Sequence, residues 1–119
     1  MTADQISEIR PAICEVIKGT PDTCATLEIT GHPEKWMQLV DHTINAAYPH
    51  GDDPEERVKS QPLTLTGLKV SNWEPNKFAT FEMAAFDAIE VAEWIDGYFI
   101  HVLNCPPGGY HVDVALEKL

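Results

Sequence analysis

Basic side chains are scarce in this sequence. Its 119 residues contain 8 Lys and Arg against 19 Asp and Glu, which gives a formal net charge of −11. From Phe78 to Glu117 there is neither Lys nor Arg. Because nucleic acids and anionic membranes are held mainly by basic side chains that contact phosphate, we expect neither as a partner.

Long apolar runs and paired cysteines are missing as well. No stretch approaches the roughly 18 apolar residues of a membrane-spanning helix, and residues 1–10 lack the apolar centre of a secretion signal. The cysteines are odd in number and lack C-x-x-C spacing: Cys14, Cys24 and Cys105. We therefore expect a cytoplasmic protein with reduced thiols, while a bond between Cys14 and Cys24 remains compatible with the sequence.

Recognisable catalytic and cofactor motifs are absent too. The sequence has no glycine-rich phosphate loop between a strand and a helix, no Gly-x-Ser-x-Gly and no His-Glu-x-x-His. His101, Cys105 and His111 bring metal-ligating residue types into one neighbourhood, but their spacing matches no common zinc pattern. We expect a non-enzymatic protein without metal or cofactor. The alternative is a small enzyme or metal-binding protein that uses these three residues.

The remaining composition is typical of one globular domain. Hydrophobic residues make up 44% of the chain, which is enough to form a core despite the charge. The length falls within the roughly 100–200 residues of a single domain, and no linker or internal repeat divides it. We expect one domain over residues 1–119.

The first half of the chain predicts one helix and three strands. Apolar residues recur at helical spacing between Ile6 and Ile17, which predicts a helix near residues 3–18. Polar and apolar residues then alternate, which predicts a meander of three strands. The strands are expected around Leu27 and Ile29, over 35–41 and over 43–48, with a turn at 31–33 after the first.

Two helix starts are marked by capping signals. The first, at residues 53–56, combines a capping Asp, a first helical Pro and a third helical Glu, and predicts a short helix to about residue 60. The second, Asp87 followed by Glu90, predicts a longer helix over residues 88–103. On this helix the acids are expected on the solvated side, opposite the core: Asp87, Glu90, Glu93 and Asp96.

A hairpin and a final strand complete the pattern. Residues 74–77 form the predicted turn, so that Trp73 faces Phe78 and both stand on the polar side of the hairpin. The same register pairs Val70 with Phe81 and Lys69 with Glu82. Alternation from Tyr110 to Glu117 predicts a half-buried strand.

The predicted element order is therefore α-β-β-β-(short α)-β-β-α-β. Strands joined by tight turns favour an antiparallel sheet, and amphipathic helices need an apolar surface to cover. We expect an α+β domain whose antiparallel sheet carries helices packed on one face.

The long C-terminal helix carries a candidate contact for a partner. Gly97 lies mid-helix on the polar side, where glycine costs about 1 kcal/mol relative to alanine. Ile89 and Ile100 lie beside it, outside the core side, and Glu93 lies between them in the sequence. A close crossing by another helix, from a second copy or from this chain, would account for the pattern. We expect a partner or dimer contact here.

Aromatic residues provide a second candidate contact. Trp73 and Phe78 stand at the predicted hairpin turn, and Trp36 or Tyr48 could join them. Most tryptophans lie in protein cores. If these side chains are exposed on a sheet face instead, they are suited to holding an extended apolar segment of another protein.

Three segments carry a family resemblance: residues 44–49 (INAAYP), 72–81 (NWEPNKFATF) and 91–99 (VAEWIDGYF). Together with the element order, they resemble the small acidic bacterial domains related to type III secretion chaperones and to YbjN-like proteins, over roughly residues 4–103. The resemblance implies a cytoplasmic α+β homodimer without cofactor. Members of the secretion branch hold a partly unfolded client segment along hydrophobic patches. This chain departs from that branch in its short, polar middle helix and in the strand predicted at residues 110–117.

The acidic surface and the missing catalytic motifs favour a non-enzymatic protein-binding module, chaperone- or adaptor-like. We expect its partner to be a protein or peptide, and we expect the module to act as a homodimer. A structural subunit of a larger complex is a third possibility.

Overall fold

The computed structural model describes residues 3–18, 23–40, 42–60, 65, 67–84, 87–105 and 110–118. Within these ranges the chain forms three helices and six strands in the predicted order, and the predicted α+β class is confirmed. The helices are α1 (Ala3–Lys18), α2 (Pro54–Lys59) and α3 (Ala88–His101). The strands are β1 (Thr23–Ile29), β2 (His32–Val40), β3 (Thr43–Ala47), β4 (Lys69–Glu74), β5 (Phe78–Glu82) and β6 (Val112–Lys118).

These strands form one antiparallel sheet with the order β4-β5-β3-β2-β1-β6. β1, β2 and β3 form the predicted meander, and β5 pairs with β3. β4 and β6 are therefore the two edges, with β6 beside β1. The predicted end of the second strand at Asp41 lies outside the described residues.

The helices cover one face of the sheet, here called the core face. α1 packs against β1, β6 and α3. The ring of Phe81 in β5 contacts the rings of Trp94 and Tyr98 in α3, at centroid distances of 5.3 and 5.7 Å. The buried strand residues alternate accordingly: Ala25, Leu27, Ile29, Met37, Leu39, Ile44, Ala46, Ala79 and Phe81. Side chains on the opposite, outer face are mostly half-buried or exposed.

Both predicted helix caps are present. The Asp53 side chain accepts a hydrogen bond from the backbone N–H of Glu55, and that of Asp87 accepts one from Ile89, each at 2.9 Å. These bonds satisfy N–H groups that the first helical turn leaves unpaired. α3 ends at His101, slightly earlier than predicted. Within the described ranges, no helix is long and apolar enough to cross a membrane.

The first turn is tighter than predicted. β2 already begins at His32, so the chain reverses at Thr30 and Gly31 alone. Pro33, which was predicted in the turn, lies within the strand. The register between β1 and β2 shifts just beyond Glu28, which leaves Pro33 without a partner residue in β1. A proline is accommodated there because it has no N–H to donate to a ladder.

The hairpin of β4 and β5 keeps part of its predicted register. Val70 pairs with Phe81 and Lys69 with Glu82, as predicted. Between Val70 and the turn, however, Ser71 forms a bulge that adds one residue to β4. A bulge of this kind moves every following side chain to the other face of its strand.

The bulge corrects the predicted position of Trp73. Glu74, not Trp73, is the residue opposite Phe78, and Trp73 instead pairs with the buried Ala79. Trp73 therefore lies on the core face, and its predicted place on the polar side is wrong. Phe78 does lie on the outer face, as predicted.

Three glycines allow two effects on stability to be tested separately: strain from a positive φ, and crowding where the backbone lies close to another residue. Gly67 has φ 70°, and a Cβ there would lie 2.6 Å from the Cβ of Ala84; Gly31 has φ 82° and open space around it. A Cβ at Gly51 would meet its nearest atom only at 3.9 Å. We expect Gly31→Ala to cost about 1 kcal/mol from strain, Gly67→Ala about 2 kcal/mol or more, and Gly51→Ala less than about 0.5 kcal/mol.

Urea unfolding of the three variants gives these free energies directly. If Gly67→Ala cost no more than Gly31→Ala, the close approach of the backbone at Gly67 to Ala84 would be disproved.

Candidate protein-interaction surfaces

The two edges of the sheet differ in how they are protected. β4 is interrupted by the bulge at Ser71 and has α2 beside it. β6 pairs with β1 over seven residues without any register shift. Native proteins blunt exposed edges with bulges or covering elements, because an unpaired edge invites pairing with other chains. Within the described part of the chain no strand lies beyond β6, and this side is here called the free edge of β6.

Apolar side chains are exposed on β6. Val114 and Leu116 pair with the buried residues Leu27 and Ala25, so they lie on the core face. They are nevertheless 39% and 48% exposed, because the sheet ends at this strand. Large apolar side chains that stay exposed next to each other are typical of interaction sites.

The free edge also presents backbone hydrogen-bonding groups. The N–H of Thr30 donates to the carbonyl of His111 at 2.9 Å, just before β6 begins. In an antiparallel pair, residues alternate between those whose backbone groups face the neighbour and those whose groups face away. His111 and then Asp113 therefore face β1, whereas Val114 and Leu116 direct their N–H and C=O groups toward the free edge.

A buried contact ties β6 to α3. The hydroxyl of Tyr110, two residues before β6, donates a hydrogen bond to Oδ1 of Asp96, and its ring packs on Phe99 with centroids 5.5 Å apart. Asp96 is 0% exposed, so its predicted place on the solvated side of the helix is wrong. The phenol compensates part of the cost of burying the carboxylate. Within the described residues, the other oxygen of Asp96 has no hydrogen-bond partner.

The predicted partner contact on α3 is split by the structure. Ile89 is 41% exposed, Glu93 is exposed and Ile100 is half-buried, and they share one side of the helix, here called the α3 stripe. Gly97 is buried within the chain, so it does not belong to this surface. Contact of the α3 stripe with a partner stays a prediction.

The four aromatic candidates separate into two pairs on opposite faces. Phe78 pairs with Ala47 on the outer face. The last paired residues of β2 and β3 are Met37 and Ala46, and Trp36 and Ala47 are the next residues along these two strands. Ala47 therefore lies between Trp36 and Phe78. Tyr48 and Trp73 lie on the core side, with their rings edge to face at 6.2 Å. No one face of the sheet therefore carries all four, although Trp36 and Tyr48 both line one cavity at the end of β3. Trp36 and Phe78 are half-buried and accessible, whereas Tyr48 is 0% exposed.

Tyr48 has a structural role in the loop before α2. Its hydroxyl donates to the backbone carbonyl of Asp52 at 2.7 Å and lies 3.0 Å from its carboxylate. Burial, with the hydrogen bond to Asp52, raises the pKa of Tyr48 to about 12. The phenol is thus held protonated, as a donor, at neutral pH.

The geometry gives little support to the metal or enzyme alternative. Cys105 and His111 line a cavity of about 220 Å³ together with Lys35 and Tyr110, but His101 is exposed at the end of α3 and is not part of its wall. Among the described residues, no three His, Cys, Asp or Glu side chains lie close enough to hold a metal ion. Burial also raises the pKa of the Cys105 thiol, the opposite of what activates a catalytic cysteine.

The free edge of β6 was not among the predicted contacts. Alternation from Tyr110 to Glu117 correctly predicted a strand. A central strand and an edge strand can show the same alternation, so the pattern does not indicate where in the sheet the strand lies. The position of β6 in the sheet depends on its pairing with β1, which is more than 80 residues earlier in the chain.

Comparison with protein-family models, with curated protein sequences and with solved structures finds no significant match to this chain. The resemblance to chaperone-like domains therefore stays a prediction.

The contact between Tyr110 and Asp96 can be measured against a similar one nearby. Tyr110→Phe leaves a buried carboxylate without its donor, and we expect a loss of about 1.5–3 kcal/mol in unfolding free energy. Tyr98→Phe is the control, because the Tyr98 hydroxyl donates to a neutral acceptor, the Ala47 carbonyl, at 2.8 Å. Its expected loss is about 0.5–1.5 kcal/mol. Equal losses in urea unfolding would contradict a special role of the Asp96 carboxylate.

Proposed function

We propose that this protein is a non-enzymatic protein-binding module, chaperone- or adaptor-like, that binds an extended partner segment by adding it to the sheet as a strand beside β6. One observation carries the proposal: an unbulged edge strand exposes Val114 and Leu116 at 39% and 48% on one face. Strand addition uses main-chain hydrogen bonds for affinity and alternate side chains for specificity. β6 offers both.

The expected affinity is modest. Full burial of such a side chain is worth about 1.5–3 kcal/mol, and Val114 and Leu116 are already partly covered, so each contributes about 1 kcal/mol on binding. Each new backbone hydrogen bond adds about 0.5–1.5 kcal/mol net. Association itself costs several kcal/mol. We expect a dissociation constant between about 1 µM and 1 mM, which suits transient holding of a segment.

We also propose that the module acts as a cytoplasmic homodimer. The α3 stripe supports a contact between copies, because Ile89 is 41% exposed and Ile100 lies on the same side of the helix. Free thiols at Cys14, Cys24 and Cys105 fit the reducing environment of the cytoplasm.

Strand addition is tested with a short labelled peptide of alternating character, Gly-Ser-Thr-Val-Thr-Val-Thr-Ser-Gly carrying fluorescein. We expect its fluorescence anisotropy to rise on binding, and Val114→Thr and Leu116→Thr each to weaken binding about fivefold, the equivalent of about 1 kcal/mol. Ile89→Thr is the matched control, because Ile89 is exposed to a similar extent on a different surface. If Ile89→Thr weakened peptide binding as much as the β6 variants do, the peptide would not be bound specifically at β6.

The homodimer is tested by light scattering at micromolar concentration. We expect about twice the chain mass of 13.2 kDa for the unmodified protein and the monomer mass for Ile89→Asp, because a buried unpaired charge opposes association. Leu116→Thr should stay dimeric. A monomeric unmodified protein would contradict the dimer, and a monomeric Leu116→Thr would move the contact from α3 to β6.

A further inference from the structure

Acidic side chains meet on the outer face of the β1–β6 pair. Asp113 in β6 lies directly opposite Glu28 in β1, and Glu117 lies on the same face farther along β6. Like charges directly opposite each other destabilise a strand pair. Among the Lys and Arg side chains that the structure describes, none forms an ion pair with Asp113, Glu117 or Glu28. Asp113 and Glu28 thus face each other without a basic partner among these side chains.

A strand added at the free edge would lie against these acids. Its residues on the outer face would stand opposite Asp113 and Glu117, at the short distance of directly paired side chains. Lys or Arg at those two positions would therefore gain an attraction to β6, and Asp or Glu would be repelled. The segment's residue between these two positions would lie opposite Ala115, which is uncharged and favours neither sign of charge.

The core face sets the remaining positions. Residues opposite Val114 and Leu116 would alternate with the two basic residues, and they must be apolar to cover these exposed side chains. Building on the proposed function, we propose that the segment bound at β6 has the pattern basic–apolar–any–apolar–basic. The pattern is the same in both chain directions.

A second copy of this chain fits the edge less well. Two β6 strands could pair antiparallel in more than one register. When Val114 lies opposite Val114 of the other copy, Asp113 faces Ala115; when Ala115 lies opposite Ala115, Asp113 faces Glu117. Because residues that face the shared edge pair only with residues that also face it, an antiparallel register places Asp113 opposite odd-numbered residues only. Within β6 these are Asp113, Ala115 and Glu117, none of which is basic. Each copy also carries a net charge of −11. The charge pattern favours a basic partner over self-pairing.

Three peptides test the pattern: the neutral probe above, its basic form Gly-Ser-Lys-Val-Thr-Val-Lys-Ser-Gly and the corresponding form with two Glu. We expect the basic peptide to bind at least about fivefold tighter than the neutral one, and the acidic peptide to bind weakest. The differences should shrink between about 0.05 M and 0.5 M NaCl, because salt screens exposed charges.

Variants separate a local contact from the overall charge. Asp113→Asn should lower the preference for the basic peptide about threefold, and Asp113→Lys should reverse it in favour of the acidic peptide. Glu56→Gln removes the same charge from α2, which lies beside β4 at the opposite edge of the sheet, and should leave the preference unchanged.

Each outcome has a defined meaning. Equal binding of all three peptides would overturn the charge pattern and leave strand addition standing. No binding by any peptide would overturn the proposed function itself. If Glu56→Gln lowered the preference as much as Asp113→Asn, general attraction to an acidic protein would replace the contact at β6. Reversal of the preference by Asp113→Lys, with no change in the preference for Glu56→Gln, supports the proposal.

Discussion

One buried contact joins the start of the last strand to α3: the hydrogen bond from the Tyr110 hydroxyl to the Asp96 carboxylate. Burying a carboxylate is costly unless a donor faces it, and here that donor stands just before β6. The bond and the packing of Tyr110 on Phe99 hold the start of β6 against α3. The rest of β6 is then held by its ladder to β1. α1 also packs against β6 on the core face.

The order of the strands explains why β6 is an open edge. α1 and α3 lie on the core face, where α1 packs against β6, and α2 lies beside β4. Within the part of the chain that the structure describes, no strand pairs with the outer side of β6. A bulge further interrupts β4, whereas β6 stays straight over its whole length. Val114 and Leu116 stay exposed on β6 although α1 packs against this strand. The proposed interaction surface thus depends on the position of β6 at the end of the sheet.

Local signals in the sequence predicted the elements well. The caps at Asp53 and Asp87 and the periodicity of the helices and strands depend on neighbouring residues, and the element order was correct. The errors concern interactions between distant residues. Nothing near Ser71 marks a bulge, because the bulge is defined against β5; nothing near Asp96 marks its burial, because its donor lies fourteen residues away. The position of β6 at an edge likewise depends on its pairing with β1, which is distant in the sequence.

The acidity of the chain has two consequences at this edge. An open, unbulged strand with exposed apolar residues risks pairing with its own copies, and charged side chains are a common protection against such pairing. Asp113 and Glu117 are suited to that protection, since a second β6 brings acids and Ala115, but no basic side chain, to the outer face. The same two acids would attract a strand that carries Lys or Arg. In the proposed function, one set of charges therefore opposes self-association at β6 and also selects the partner, and neither effect requires any change in the fold.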